Sequence, residues 1–531
     1  MPWTSPLRNI GVSPLLALVL ASSGALGWVP APSVPRTRTR SGPLSALPNP
    51  FEGFSKGMES MLAGVAGSTP AEFKDTAPSW EELESKLLGV QTPAEKEAVS
   101  LRERGYGPTS SKASLRLFDA PEGTEPRVTL YRDHAAWCPY CEKVWLLLEE
   151  KRIPYRIEKV NMRCYGDKPG WFMRISPSGG IPVAKIDGQI VRESNDIMAI
   201  LENTFTEHKS LVPPASDPQA ARVRPLLRLE REIFSVWFRW LTTPFGGDGF
   251  RTAFSETMDK VEQELVAGGG PYFLGKELSY VDIMFVPFLE RMAASLPYYK
   301  GLVVRGNTRW PAANRWYDAM DSRETYRGVK GDYYTHNHDL PPQIGGCRVE
   351  AQAVAYADEI DGNDGSWMLP LKEGLEPVGG QHVPEEVARR EAAAQLLGNR
   401  EAVARFALRG VGLPGVPPVS APLADPNARP AENFLKPVDA ALRHVVHALL
   451  EGPDAAKAHG LSPSQPTDQV HKSLDYLKER VGVPRDMSFP AARQLRGHLN
   501  WYAGELLQEK RAGGSGGKAG QPAGTAMAAR R

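Results

Sequence analysis

The fold is decided by the stretch Val128-Thr-Leu-Tyr-Arg-Asp-His-Ala-Ala-Trp-Cys-Pro139-Tyr-Cys-Glu-Lys-Val144-Trp-Leu-Leu147-Leu148. Its first residues are typical of a β-strand and lead into a short loop. After the loop, Val144, Leu147 and Leu148 recur at i, i+3 and i+4, which is the spacing of a helix that buries one face. Pro139 suits the first turn of such a helix because no intrahelical N–H bond is lost there. The stretch therefore predicts a strand, a loop and a helix that begins at about Pro139.

Two cysteines, Cys138 and Cys141, lie at the start of this helix. A thiolate at a helix N-terminus is stabilised by unpaired backbone N–H groups and by the positive end of the helix dipole, so more of it is reactive at neutral pH. Cys138 is therefore the predicted nucleophile, and Cys141 is the predicted resolving thiol. A zinc site is disfavoured because the other cysteines, Cys164 and Cys347, form no second Cys-x-x-Cys. Two buried structural cysteines remain an alternative.

Length and composition limit the kinds of protein that this chain can be. The 531 residues are enough for about three domains. The net charge of +1 implies no general attraction to nucleic acid or to an anionic membrane. Four cysteines are too few for a secreted fold built on disulfides. The 50 glycines and 47 prolines cluster outside the periodic segments and predict long linkers.

Residues 1–45 are typical of a targeting address. Arg8 precedes the short apolar run Leu15–Ala21, which is too short to span a bilayer and is followed by small residues that a signal peptidase accepts. Three arginines then lie among Ser, Thr and Pro, with no acidic residue before Glu52, which is transit-peptide composition. The combination resembles a two-part plastid (chloroplast) address. Plain secretion is the second choice, because a catalytic dithiol needs a reducing supply.

The next region, residues 46–126, is predicted to be a linker with a short helical arm. In that arm Ser79 can cap a helix and Glu82 can close a capping box. Residues 211–340 change to an all-helical character. There, Trp237 and Trp240 are candidates for the wall of an acceptor site, although an aromatic stripe at helical spacing is more often part of the core. Ser279-Tyr-Val-Asp predicts the capping box of a buried central helix.

The order of elements in residues 127–207 predicts a compact β/α domain. Tyr155–Val160 alternates as a second strand, and Pro182–Val191 predicts a hairpin that turns at Asp187-Gly188. A last helix is predicted from Asp196 to Phe205. The order is strand, helix, strand, connection, strand, strand, helix, which is thioredoxin-like.

Residues 345–510 predict a mostly helical extension, with helices at Glu385–Leu408, Val438–Leu450, Gln469–Val481 and Phe489–Leu507. His444 and His447 share a helix face, but without a carboxylate partner they are expected to be ordinary histidines rather than metal ligands. The extension carries no nucleophile motif, so we expect a helical module that binds or regulates. Truncation after about Pro342 should then leave the chemistry intact. Residues 511–531, mostly Gly, Ala and basic residues, are predicted to be a disordered tail.

Four motifs together resemble a known family. They are Tyr-Arg-Asp-His-Ala-Ala-Trp-Cys138-Pro-Tyr-Cys, Asn161-Met-Arg-Cys-Tyr-Gly-Asp-Lys-Pro, Gly180-Ile-Pro and Glu193-Ser. The pattern resembles the cysteine-containing glutathione transferases and, with the long extension, their Iota class, over roughly residues 79–510. The resemblance implies an α/β thioredoxin-like domain, an all-α glutathione transferase C-terminal domain and the helical extension.

The resemblance also implies how glutathione is bound as co-substrate. Pro182 matches a cis-proline that turns the backbone of Ile181 toward an extended peptide. Glu193 matches a residue that meets the γ-glutamyl ammonium, while Ser194 and its helix N-terminus meet the carboxylate. Lys168 matches a lysine that faces a glutathione carboxylate. The glutathione site is completed by Tyr140, between the two cysteines. Taken singly, each residue is explained equally well by a structural role, such as an N-cap, a turn or a solvated charge.

The predicted function is glutathione-dependent thiol transfer: Cys138 takes glutathione from a mixed disulfide and is released by Cys141 or a second glutathione. The alternatives are conjugation of glutathione to electrophiles and a non-catalytic, ligand-binding plastid protein. The expected partners are glutathione and glutathionylated or disulfide substrates, with a homodimer as one assembly that the family allows. No nucleic acid, metal or membrane span is expected.

Overall fold

The computed structural model of the chain describes residues 73–243, 247–378, 383–419, 421–461 and 466–514, with side chains as far as residue 508. The predicted targeting address and most of the predicted tail lie outside these residues. The last described helix continues to Gly514, so residues 511–514 extend a helix where a disordered tail was predicted.

A five-stranded mixed sheet forms the centre of the N-terminal region, in the order β1-β3-β2-β4-β5. Its strands are β1 (Leu115–Arg116), β2 (Val128–Asp133), β3 (Tyr155–Val160), β4 (Val183–Ile186) and β5 (Gln189–Arg192). Strands β2 and β3 run parallel from the register Val128 opposite Tyr155, and the other neighbours are antiparallel. The parallel pair places the end of β2, where the cysteine motif follows, at the carboxyl edge of the sheet.

Local sequence signals explain the elements around the sheet. Helix α3 (Pro139–Lys151) follows β2, as predicted. The turn between β4 and β5 has φ of 47° at Asp187 and 83° at Gly188, the left-handed values that a two-residue hairpin turn of this type requires. Helix α4 (Gly170–Ile175) lies in the connection, and α5 is Ser194–Thr204 rather than the predicted Asp196–Phe205. Phe205 instead caps the helix through its N–H bond to Leu201.

The next part of the chain is all-helical, as predicted. It contains α6 (Ala220–Thr242), α7 (Gly247–Gly268), α8 (Tyr280–Lys300), α9 (Pro311–Asp321), α10 (Glu324–Arg327) and α11 (Tyr333–Ile344). Every residue of α8 is buried, and the capping box between Ser279 and Asp282 is present. The sheet and these helices share one hydrophobic core. The fold class predicted from the sequence is therefore confirmed.

The extension begins with α12 (Val354–Asp361), which packs in the first core, and continues with helices around a second hydrophobic core. The later helices are α13 (Glu385–Gly398), α14 (Arg400–Ala407), α15 (Leu435–Glu451), α16 (Pro453–His459), α17 (Thr467–Lys478) and α18 (Phe489–Gly514). The predicted single helix from Glu385 to Leu408 is interrupted at Asn399, which has non-helical φ and ψ of −130° and 19°. His444 and His447 are both buried, and Nε2 of His447 lies 2.7 Å from a carboxylate oxygen of Glu451.

The segment before the sheet differs from the predicted linker. Helix α1 (Trp80–Val90) has the predicted capping box, and α2 (Pro93–Glu103) follows it. Leu83 of α1 is fully buried in the core of the extension, and the indole N–H of Trp80 donates to Asp439 at 2.9 Å. Strand β1, too short to recognise from sequence, then adds an edge to the sheet. Residues 73–126 therefore join the extension to the sheet.

The extension also contacts α11 through buried polar groups. Arg496 of α18 pairs with Asp332 at 2.6 Å, and both side chains are almost fully buried. The Tyr334 hydroxyl donates to the backbone oxygen of Glu479 at 2.9 Å. The extension is therefore joined to the catalytic region by buried contacts, whereas a separate module was expected from the sequence. Among the described residues, no helix has both the length and the apolar character that crossing a membrane requires.

Candidate active site at the start of α3

Cys138 lies where the sequence placed it, immediately before the first residue of α3. Its backbone is extended, with φ of −73° and ψ of 118°, and its side chain makes no capping hydrogen bond. The sulfur therefore lies at the N-terminus of α3 without a capping hydrogen bond, at the end of the helix whose dipole stabilises a negative charge. Sγ lies 4.0 Å from the backbone oxygen of Ile181, and the side chain is 7% exposed. This thiol is within reach of solvent and of an extended peptide along Ile181.

Cys141 lies in the first turn of the same helix and is 1% exposed. Burial raises the pKa of its thiol well above the usual range, and a hydrogen bond to Cys138 acts in the same direction. Cys141 therefore stays protonated and donates to the sulfur of Cys138. A neutral donor at this position stabilises a thiolate on Cys138. All cysteines of the chain are free thiols.

A third group at the site, the carboxylate of Asp133, was not identified from the sequence. Asp133 ends β2 and is fully buried. Its Oδ2 accepts the backbone N–H of Trp137 at 2.5 Å, and its Oδ1 accepts no hydrogen bond from any described residue. One carboxylate oxygen and the sulfurs of Cys138 and Cys141 all lie within 4.8 Å of one another. A polar residue ending a buried strand beside a Cys-x-x-Cys is the sequence signal that would have found it.

The residues expected to bind the peptide part of glutathione lie along one edge of the site. The Ile181–Pro182 peptide bond is cis. Lys168 donates from Nζ to the backbone oxygen of Asn161 and lies 5.4 Å over the Phe172 ring. Burial lowers the pKa of Lys168, while the nearby thiols and Asp133 oppose that shift. Lys168 is therefore half-buried on the side of the thiols rather than free in solvent.

Glu193 and Ser194 stand at the N-terminus of α5. Glu193 is exposed and has a positive φ of 65° with ψ of 116°, while Ser194 is buried. A non-glycine residue in this region of φ and ψ costs about 1–3 kcal/mol, and such outliers cluster at functional sites. The Glu193 side chain is thus exposed at the N-cap of α5, next to the N-terminus of the helix. A ligand carrying both an ammonium and a carboxylate fits this pair of groups.

A buried lysine connects this helix N-terminus to α3. Nζ of Lys143 donates to Oδ1 of Asn195 at 2.5 Å and lies 5.5 Å from the ring centroid of Tyr140. Burial, and next the charge of Arg231, lower the pKa of Lys143 to about 7. Lys143 could not be identified from the sequence, because its position is that of any residue on an amphipathic helix.

A small apolar cavity lies beside the first turn of α3. Its lining includes Pro139, Phe234, Trp237 and Phe288. Tyr140 is half-buried next to it, with its ring 5.9 Å from that of Phe288. Of the two tryptophans proposed as an acceptor wall, Trp237 lines the cavity. Trp240 instead packs in the core, 5.8 Å from the ring of Phe254.

Comparisons with known proteins agree with this architecture. Residues 137–204 match the model of the glutathione S-transferase N-terminal domain, and residues 228–319 match that of the C-terminal domain. Glutathione S-transferase DHAR2 of Arabidopsis thaliana is 30% identical over 193 residues, which are 36% of this chain and 84% of that protein.

Two further relatives show the same pattern. Glutathione S-transferase DHAR3, chloroplastic, of Arabidopsis thaliana is 30% identical over 195 residues, 37% of this chain and 69% of that protein. Glutathione S-transferase omega-1 of Sus scrofa is 26% identical over 187 residues, 35% of this chain and 76% of that protein. The chain therefore belongs to the glutathione S-transferase family of enzymes, whose co-substrate is glutathione.

Proposed function

We propose that the protein is a glutathione-dependent thiol transferase that removes glutathione from mixed disulfides through Cys138. The observation that carries the proposal is the arrangement around that sulfur. Cys138 lies at a helix N-terminus, accepts a hydrogen bond from the buried Cys141 thiol, and faces the Ile181 backbone at 4.0 Å. The helix N-terminus and the Cys141 donor favour a thiolate on Cys138, and the backbone at Ile181 can pair with a peptide bound beside it.

Glutathione binding is proposed at the edge described above. The backbone of Ile181, before Pro182, pairs with the cysteinyl part, which directs the glutathione sulfur toward Cys138. Glu193 meets the γ-glutamyl ammonium, and Ser194 with the N-terminus of α5 meets its carboxylate. Lys168 faces the second carboxylate, and Tyr140 borders the thiol.

In the first step the Cys138 thiolate attacks the glutathione sulfur of a mixed disulfide. A Cys138–glutathione disulfide forms, the old disulfide bond breaks, and the substrate sulfur leaves with the electron pair and takes a proton from solvent. The substrate thiol is thereby reduced, and the enzyme holds the oxidising equivalent. No step requires a redox partner other than glutathione.

Two routes can release the enzyme. A second glutathione thiolate can attack the mixed disulfide, giving glutathione disulfide and the Cys138 thiolate. Alternatively, Cys141 can attack Cys138, giving a Cys138–Cys141 disulfide and free glutathione, with two further glutathiones needed to reduce the enzyme. The raised pKa of Cys141 disfavours this second route unless its proton is removed. We propose that Asp133, whose Oδ1 is unpaired among the described residues, accepts that proton.

The apolar cavity beside Pro139 supports a second candidate function, conjugation of glutathione to an apolar electrophile. Conjugation needs a hydroxyl to hold the glutathione thiolate, and Cys138 occupies that place. A cysteine there tends to form a disulfide with glutathione instead of leaving its thiolate free. A binding protein with an unused thiol site is the third candidate.

We further propose a class, a location and a division of roles among the domains. The Cys138-Pro-Tyr-Cys motif and the long extension favour the Iota class. A plastid location is favoured by the composition of residues 1–45 and by the relative named chloroplastic. Functionally, residues 127–207 would hold glutathione, residues 211–340 would hold the acceptor, and residues 345–510 would support both.

The test uses the full chain and two substrates. A mixed disulfide of glutathione with 2-mercaptoethanol reports thiol transfer, and an aromatic halide reports conjugation. We expect turnover of the mixed disulfide, its loss in Cys138→Ser, and unchanged turnover in the control Cys347→Ser. Turnover of the halide alone would favour conjugation, and turnover of neither substrate would favour the binding protein.

A further inference from the structure

Trp137, the residue immediately before Cys138, is fully buried and is held through every polar group that it has. Its backbone N–H donates to Asp133 at 2.5 Å, and its backbone oxygen accepts from Arg291 at 2.7 Å. Its indole N–H donates to the backbone oxygen of Val483 at 2.9 Å. The first two partners belong to the transferase core, whereas Val483 belongs to the extension, 346 residues further along the chain.

The Trp137 ring is also enclosed by the extension. The Arg485 guanidinium lies 4.9 Å from the ring centroid, and the Tyr165 ring lies 5.4 Å away. Gly482 approaches so closely that a Cβ added there would meet Cζ2 of Trp137 at 2.4 Å. Glycine is therefore required at position 482 because the backbone of the extension touches the Trp137 ring and leaves no space for a side chain.

The segment that touches the ring, residues 481–486, is itself fixed. The Val483 N–H donates to the Thr335 hydroxyl at 3.0 Å, and the Gly482 N–H donates to Asp486 at 2.8 Å. Arg496, which pairs with buried Asp332, donates to the Val481 backbone oxygen at 2.8 Å. Residues 481–486 thus present a rigid surface to Trp137 rather than a loop end.

The loop before Cys138, which ends at Trp137, contains a strained backbone conformation. Ala136 has a positive φ of 65°, although it carries a side chain. Such a conformation persists only where the surroundings over-determine it. The extension supplies part of that constraint, two residues before Cys138.

We propose that residues 481–486, which we call the extension clamp, position Cys138 for thiol transfer by holding Trp137. The expected effect on turnover rests on the proposed function. The extension would then be part of the support of the active site. Trp137 is a positioning residue here, since it acts on the reacting sulfur through the backbone. A displacement of the sulfur of about 1 Å is enough to slow a reaction by about 100-fold.

The first test is Gly482→Ala in the full chain, with Gly504→Ala as the matched control. A Cβ at Gly504 meets nothing within 4 Å, and neither glycine has the left-handed φ that would add backbone strain. For Gly482→Ala we expect kcat with the mixed disulfide to fall about 10- to 100-fold with little change in KM for glutathione. The pH dependence of Cys138 alkylation by iodoacetamide, read on its peptide by mass spectrometry, should shift to higher pH. Gly504→Ala should match wild type in both readouts.

The second test removes the indole hydrogen bond together with part of the buried ring. Trp137→Phe is compared with Trp310→Phe. The Trp310 indole is equally buried, immediately before α9, and donates to Asp259 of α7 at 2.9 Å. We expect about a tenfold fall in kcat and a shifted alkylation profile for Trp137→Phe alone. This pair decides the matter if Gly482→Ala does not fold, as judged by a cooperative thermal transition.

The outcomes separate the clamp from the proposed function. A wild-type protein without thiol-transferase turnover would refute the function, while the alkylation profiles would still test the clamp. Folded Gly482→Ala and Trp137→Phe variants with wild-type kcat and wild-type alkylation profiles would overturn the clamp. Equal losses in Trp137→Phe and Trp310→Phe would overturn it too, since they would show a general effect on stability.

Discussion

Arg291→Met tests the buried charges beneath the active-site helix. One guanidinium nitrogen of Arg291 lies 2.8 Å from a carboxylate oxygen of Glu142 and 3.0 Å from one of Glu290, and all three side chains are nearly fully buried. The adjacent His336 is neutral, because burial lowers its pKa to about 3. One cation thus faces two carboxyl groups. Burial, and next the charge of Glu290, raise the pKa of Glu142 to about 8, so this carboxyl holds a proton at neutral pH.

The sign of the pH dependence follows from that proton. The folded state keeps it up to about pH 8, whereas an ordinary glutamate in the unfolded chain releases it near 4.5. Between these values the folded state binds more protons, so the Glu142 contribution to stability falls as pH rises. In Arg291→Met, Glu290 must also be buried in its protonated form. Each additional proton held by the folded state makes the free energy of unfolding fall more steeply with pH, by about 1.4 kcal/mol per pH unit.

Arg291→Met should therefore lower the free energy of unfolding by about 3–5 kcal/mol, the usual cost of breaking a buried ion pair. The control is Glu142→Gln, which should cost less than about 1 kcal/mol because the wild-type group is already neutral. Chemical denaturation of each variant at several pH values measures both quantities. A loss below about 1 kcal/mol in Arg291→Met, or a loss in Glu142→Gln as large as in Arg291→Met, would refute this account of the charges.

Three further predictions concern the site and the extension. Glu193→Ala should weaken glutathione binding about 10- to 100-fold, the effect of losing a charge-assisted hydrogen bond of about 1.5–3 kcal/mol, and calorimetry showing unchanged affinity would contradict the site. Asp133→Asn should slow formation of the Cys138–Cys141 disulfide about 100-fold in rapid-quench experiments without slowing the first glutathionylation, and equal slowing of both would remove its role as proton acceptor. Truncation after Ile344 exposes Trp137 and leaves Asp332 without Arg496, so it should abolish the cooperative thermal transition, and a truncated protein that folds with full turnover would refute the structural role of the extension.

The parts of the fold that were predictable depend on short-range sequence. The strand, loop and helix around Cys138, the Asp187-Gly188 turn and the capping boxes at Ser79 and Ser279 each involve residues within a few positions of one another. These local patterns are visible in the sequence, and tertiary contacts do not change the structure that they predict. The order of these elements was then enough to predict the fold class.

The features that were missed depend on contacts between distant segments. The partner of Trp137 lies 346 positions away, and no local pattern near Val483 marks it as a neighbour of the active site. The two residues of β1 are too few to show a period and become a strand only by pairing with β3. Asp133 was visible at the end of a strand, but its unpaired oxygen beside the thiols is a property of the fold alone.

The most direct test of the account is to find which sulfur receives glutathione. The Cys141→Ser variant, which lacks the resolving thiol, is treated with the mixed disulfide in the absence of free glutathione, and its peptides are mapped by mass spectrometry. We expect glutathione on Cys138, its release when free glutathione is added, and steady-state turnover that remains a large part of the wild-type value. Glutathione on Cys164 or Cys347 instead, or an adduct on Cys138 that free glutathione does not release, would contradict it.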